Sequence, residues 1–480
     1  MSKPVIYVPG LPASHLHERA TEKRIFLSLG FNNPQLEGPN DLGAHDPVRA
    51  GEPIRRVAKF LFFDLAKQAE SLYDLLGRFG IKATPFGWDW RRPVWDLARP
   101  DSVQRKLAAK LAELHPPSGP QVTVIVHSTG GLVLRALLER QPDLCRHIER
   151  VIAFGVPWAG TLKSLRFING QSGFAGIVPA SRTQKVLTRS WAAFDLLPPD
   201  PTHLIDGNGP LALTFRRTAQ GDQPASALVD RDWINSLPSE LRAAAEERAV
   251  RAHGHLGARR PQIDTAGEPL EIVNVVGWGA DTDVSAELIG QGTGARLEIR
   301  SSKGDATHDG GDKTVPRRSA AWLASGDPVN VRTYHVPVGR LPSTRNQPHS
   351  SLWSNPGGIN LLEHLCGNQP SLAPFCYAAI DGDDAVAGQP SVRVRLVALA
   401  ADGSPLPGAK VRTRGLIGGD FGQDFRPAFD GRHMITLERQ KIPRVGNPPA
   451  PSRVRRLRLQ IGWQENGRDR WQERRFLIPA

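Results

Sequence analysis

An α/β fold built on a mostly parallel sheet is predicted by three observations. Apolar runs at residues 5–8, 122–126 and 151–154 have the Val/Ile-rich character of strands buried on both faces. Segments with helical spacing separate the strand-like runs, so that strand and helix alternate from residue 5 to residue 160, a pattern that covers both sheet faces with helices. One strand also runs straight into a helix through His127-Ser128-Thr129-Gly130-Gly131, which sets a serine among small residues at the turn.

In chain order, the first strand at residues 5–8 ends in Pro9-Gly10-Leu11-Pro12. Residues 15–58 are polar and rich in Pro, Gly and Asn, and read as a long excursion. Leu65, Ala69, Leu72, Tyr73, Leu76 and Phe79 recur at helical spacing, and Gly80 stops that helix. A strand over 81–86 leads into Trp88-Asp89-Trp90-Arg91, where two aromatics around an Asp–Arg pair are expected to brace a loop. Asp101 or Ser102 caps a helix through Leu114, which the Pro-rich stretch 116–120 ends.

The central strand follows, and then the turn. From Gly131 the residues Leu132, Leu134, Ala136, Leu137 and Leu138 make a buried helix that stops before Pro142. A sharp strand–Ser–helix turn is a nucleophile elbow, the hallmark of an α/β-hydrolase. The helix N-terminus behind the serine favours negative charge. Val126 departs from the G-x-S-x-G pattern, which has a small residue there. On this fold the oxyanion hole takes one N–H from the loop after the first strand and one from the residue after the serine, which points to Leu11 and Thr129.

Residues 151–161 are a further strand running into a loop, after which the alternation lapses. Residues 162–270 carry apolar, Gly-bearing segments and a helix near 237–253, and read as a cap or lid over an acyl-chain pocket. Core strands resume at 271–277 and 331–336, and a helix covers 359–366. A triad on this fold runs Ser, acid, His. Asp312, in a Gly-Gly-Asp turn, and His349 meet that order. Asp309 and Asp305 compete for the acid and His335 for the base, while His127 is too close along the chain to be the base and is expected to support the elbow.

Residues 371–388 are a Pro-rich, acidic linker. From 389 to 480, short alternating runs between Gly/Pro turns predict a small antiparallel β-sandwich. The chain thus divides into α/β-hydrolase core at 1–161 and 271–370, the cap at 162–270, the linker, and the β-domain. Of a net charge of +13, +10 falls from residue 389 onward, where 18 basic residues stand against 8 acidic ones. That bias suits peripheral contact with an anionic membrane surface as well as a plain solvated face. No motif or aromatic–basic platform for nucleic acid accompanies it, so no nucleic-acid partner is expected. Three cysteines give no disulfide framework, no apolar run reaches eighteen residues, and no signal segment precedes the first strand, so the expected location is cytoplasmic, with export independent of a cleaved signal as the alternative. No metal or cofactor spacing is present.

On these pieces the chain resembles the lecithin:cholesterol acyltransferase family of α/β-hydrolases. The stretches that carry the resemblance are residues 4–10, Trp88-Asp-Trp-Arg91, His127-Ser-Thr-Gly130, residues 155–161, 191–198, Gly311-Asp-Lys-Thr-Val-Pro316 and His349, in family order across 4–366. The resemblance implies that Ser128 is the acyl nucleophile, Asp312 the acid and His349 the base, with Leu11 and Thr129 as oxyanion donors. It also implies a lipid or acyl-ester substrate, with hydrolysis or acyl transfer as the reaction. Val126 departs from the family at the elbow, and Lys313 stands where the family motif has its second glycine. The alternative expectation is a non-catalytic hydrolase-fold scaffold that binds partners or membranes through the basic β-domain.

Overall fold

The computed structural model describes residues 3–25, 47–54, 65–95, 102–173, 179–188, 190–198, 270–278, 280–289, 294–302, 311–322, 331–338, 349–354 and 356–366. It also describes short pieces between 205 and 246 and seven strands between 375 and 479. The helix expected near 237–253 and the rival acids Asp305 and Asp309 lie largely or wholly outside these residues.

A six-stranded sheet forms the centre. Its strands are β1 (Val5–Val8), β4 (Ala83–Pro85), β5 (Val122–His127), β6 (Ile148–Phe154), β8 (Glu271–Trp278) and β11 (Val331–Pro337), in spatial order β11-β8-β6-β5-β1-β4. Each neighbouring pair is parallel. The chain therefore leaves β1 for the edge at β4, crosses back to β5, and then steps one way to β11. The order reverses between β1 and β5, which is where an open α/β sheet leaves a crevice at its C-terminal ends.

Successive strand residues face opposite sides, and two apolar clusters result. Ile6, Val8, Val124, Val126, Val151 and Ala153 pack with Leu107 and Leu111 of α2 (Val103–Leu114) and with α3 (Thr129–Arg140). Val5, Tyr7, Ile125, Ile152 and Phe154 pack on the other side with Leu72, Leu75 and Leu76 of α1 (Leu65–Arg78) and Leu361 and Leu362 of α7 (Pro356–Cys366). Helices thus cover both faces, as expected. α3 is buried from Thr129 through Leu138, so it lies at the molecule's centre, where each fully buried Leu or Val contributes about 1.5–3 kcal/mol. Arg135 within it is 4% exposed, and is carried by an ion pair with Glu139 at 2.6 Å and by the face of Trp95 at 5.2 Å. Ser102, not Asp101, caps α2 by accepting from Arg105 N at 3.3 Å.

Two elements lie outside the sequence expectation. An antiparallel ribbon pairs β2 (Ser14–Glu18) with β3 (Val48–Pro53) inside the supposed excursion. A second sheet joins β9 (Thr282–Ile289), β10 (Arg296–Ser302) and β7 (Thr214–Arg217); β7 falls within 162–270, and β9 and β10 follow the core strand β8. Within 162–270, α4 (Lys163–Ile168), α5 (Ala180–Thr188) and α6 (Trp191–Asp195) are short helices. Past residue 366 the seven strands make two antiparallel sheets, one of four strands and one of three. Among the described residues no helix is long and apolar enough to cross a membrane.

Candidate active site

Ser128 follows the last residue of β5 with φ 52° and ψ −129°. That is a conformation an L-residue holds only when its surroundings impose it, at a cost of about 1–3 kcal/mol. Its N–H donates to Phe154 O at 3.0 Å, and its C=O accepts from Gly131 N at 3.0 Å. The two glycines after it are required by contact. A Cβ on Gly130 would stand 2.4 Å from Val8 O, and one on Gly131 would stand 2.3 Å from Val156 Cγ2. The tight side of the turn is therefore the helix side. On the strand side Val126 is fully buried, paired with the small Ala153 on β6 and with Val8 on β1.

The loop after β1 packs onto the serine. A Cβ on Gly10 would lie 2.6 Å from Ser128 Cβ and 3.2 Å from Ser128 Oγ. Leu11 is the next residue, and Thr129 opens α3. The tryptophan pair of residues 88–91 braces this loop. Trp88 Nε1 donates to Pro9 O at 2.8 Å, Trp88 N to Ser14 Oγ at 3.1 Å, and Trp90 Nε1 to Ser14 O at 3.2 Å. Asp89 holds Arg91 at 2.6 Å. That segment is tied in turn to α6, through Ser190 Oγ to Trp90 O at 2.7 Å and Val94 N to Asp195 Oδ2 at 2.8 Å. Burial raises the Asp195 carboxyl to about 7, against the opposing hydrogen bond from Val94.

Asp312 belongs to a turn that follows the β9–β10 hairpin; Gly311 bridges to Ala280, just past the end of β8, and to Pro316 across the turn. It is fully buried. Its Oδ1 accepts from Thr314 N at 3.1 Å and Val315 N at 2.8 Å, and its Oδ2 lies 2.7 Å from His349 Nδ1. A carboxylate fixed by two amides holds the imidazole with Nδ1–H donated to it, which leaves Nε2 as the basic atom. His349 Nε2 is buried and makes no hydrogen bond, so the Ser–His contact of a closed triad is not formed in this state; such bonds commonly tighten only with substrate. His349 opens a 3-10 turn, His349–Ser354, after β11. Ser128, Asp312 and His349 thus follow the C-terminal ends of β5, β8 and β11. Glycines make the room: a Cβ on Gly277 would meet Asp312 Cβ at 2.7 Å. Lys313 takes φ 77°, the left-handed conformation suited to glycine, and its N–H donates to Thr282 Oγ1 at 3.0 Å. The rival base His335 lies within β11, paired with Val276.

His127, expected to support the elbow, also reaches His349. Its Nε2 lies 3.1 Å from the His349 carbonyl oxygen. No local signal could have shown a bond to a backbone atom 222 residues away. Among the described residues no cluster of His, Cys, Asp and Glu could hold a metal ion.

Residues 60–212 match the family model described as Lecithin:cholesterol acyltransferase. The match includes Ser128, Thr129, the 88–91 segment and the 155–161 and 191–198 stretches, and ends before Asp312 and His349. Phosphatidylcholine-sterol acyltransferase of Homo sapiens is 36% identical over 87 residues, 18% of this chain and 19% of that protein. Lysosomal phospholipase A and acyltransferase of Canis lupus familiaris is 28% identical over 108 residues, 22% of this chain and 25% of that protein. The chain thus matches about a fifth to a quarter of the length of these relatives. A solved structure, phospholipase PlaB from Legionella pneumophila in complex with thio-NAD, aligns over 100% of this chain and 91% of its own at 11% identity and a TM-score of 0.19.

Proposed function

We propose that this chain, similar over residues 60–212 to the lecithin:cholesterol acyltransferase family, is a serine-dependent acyl-ester hydrolase or acyltransferase acting on lipids. The observation that carries the reading is a serine held at φ 52° on an elbow, at the same end of the sheet as a bonded Asp312–His349 pair. His349 Nε2 takes the Ser128 proton as Oγ bonds to the ester carbonyl carbon. The oxyanion is met by the N–H groups of Leu11 and Thr129. The tetrahedral species collapses, the leaving alkoxide takes the proton from His349, and the acyl group stays on Ser128. Water or an alcohol then gives its proton to His349 as its oxygen bonds to the acyl carbon, and on collapse Ser128 Oγ leaves and takes that proton back from His349. Asp312 keeps the imidazole in the required tautomer and stabilises the imidazolium. The reaction needs no cofactor.

In the same reading, segments of 162–270 cover the acyl chain. The two C-terminal sheets form a sandwich whose basic excess favours anionic membrane surfaces. Reaction of the full chain with a serine-directed fluorophosphonate, followed by mapping of the adduct, tests the centre of the proposal. A single adduct on Ser128, absent from Ser128→Ala, is expected together with loss of esterase activity. An unlabelled protein, or Ser128→Ala activity within about tenfold of wild type, counts against it.

A further inference from the structure

Two histidines meet behind the elbow. The His127 ring lies against that of His349, tilted by 40° with centroids 4.7 Å apart, and edge-on to Trp353 at 5.1 Å. Trp353 is itself wedged against Phe154 at 5.6 Å and donates to Ser71 Oγ at 3.0 Å, which fixes the far end of the 349–354 turn. The near end is held by the 3.1 Å contact of His127 Nε2 with the His349 carbonyl. A carbonyl only accepts, so Nε2 carries the proton, and His127 Nδ1, buried without a partner, does not. Burial, then the neighbouring His349, keep the His127 pKa well below the usual range. Among the described residues the charged group acting on it is His349, whose Nδ1 is bonded in turn to Asp312.

We propose that His127 is a positioning residue for His349: its Nε2–H anchors the carbonyl of the residue that carries the base, and its ring gives that base an uncharged neighbour. The proposal rests on the reading of His349 as the base. Two consequences follow from the geometry. The anchor sets where the imidazole stands between Asp312 and Ser128, and a misplacement of about 1 Å there costs up to about a hundredfold in rate. A neutral ring also lets His349 become imidazolium during turnover with no second cation stacked on it.

His127→Phe keeps a ring and removes the donor, whereas His127→Gln restores a donor close to the Nε2 position. Full-length variants are compared for thermal unfolding, for kcat and KM on a p-nitrophenyl ester, and for the rate of fluorophosphonate labelling at Ser128. His127→Phe is expected to lose about ten- to hundredfold in kcat and labelling rate, with KM little changed, and His127→Gln to recover most of the loss. If His127→Phe does not fold, His127→Asn, whose amide falls short of the carbonyl, takes its place with the same expected loss. Wild-type kcat in the donor-less variant, or a loss that Gln does not relieve, overturns the positioning role. A wild-type protein that is not labelled at Ser128 would sink the underlying site instead, so the two failures are told apart.

Discussion

Gly155 lies directly against Asp312: a Cβ on that glycine would stand 3.0 Å from the carboxylate Oδ2 and 3.1 Å from His349 Cε1. Its φ is +55°, and its N–H donates to Val275 O at 2.9 Å, so backbone and neighbours together demand glycine there. Gly155→Ala should push the acid–base pair apart. We expect kcat/KM to fall about ten- to hundredfold, and stability to fall by about 1–2 kcal/mol from the left-handed backbone alone. Kinetics and chemical denaturation of one preparation read both. A normal kcat/KM would mean that the pair tolerates displacement or is not the catalytic one.

Asp312→Asn and His349→Ala should each cost at least about a thousandfold in kcat/KM. Asp309→Asn and His335→Ala should cost far less, since His335 sits within strand β11 rather than at its C-terminal end. Steady-state kinetics on a soluble ester decide this. A damaging Asp309→Asn beside an active Asp312→Asn would move the acid three residues toward the N-terminus.

Val126 departs from the elbow pattern, yet the backbone of Ser128 keeps the strained conformation. The register partners of Val126 are the small Ala153 on β6 and Val8 on β1. Val126→Ala should therefore remove packing without relieving any clash: stability falls by about 1–3 kcal/mol while the rate of fluorophosphonate labelling stays within about threefold. A large gain in labelling would show that Val126 obstructs the site.

The parts of this fold legible in the sequence are those with local signals. The buried strands β1, β5, β6 and β8 announce themselves as apolar runs, because both of their faces are covered. The 2.7 Å contact of Asp312 with His349 joins two residues that chain order and turn residues single out. The β9–β10 hairpin was missed because Val284, Ala286 and Leu288 alternate with Asp283, Ser285 and Glu287, which makes a one-sided strand look polar on average. The β2–β3 ribbon pairs Leu16 with Ala50 across an intervening polar stretch, and a pairing of that range leaves no local mark. The anchoring of His349 by His127 is of the same kind, since its acceptor is a carbonyl that every residue has.

The carboxyl of Asp195 offers a test that involves stability alone. It is 1% exposed and accepts a hydrogen bond from Val94 N at 2.8 Å. Burial raises its pKa from 3.8 to about 7, so the folded protein holds this proton more tightly than the unfolded chain. The associated stability is fully present below the unfolded value and is lost as pH climbs toward 7. Asp195→Asn keeps an acceptor for Val94 but has no proton to lose. The variant should match wild type near pH 4 and gain on it with rising pH, by at most about 1.4 kcal/mol per pH unit, before levelling off above pH 7. Denaturant unfolding of both proteins from pH 4 to pH 9 provides the comparison. A stability difference that does not vary with pH would mean that the Asp195 carboxyl is already ionised in the folded protein at pH 4. The charge would then have to be stabilised at this site by more than the Val94 amide.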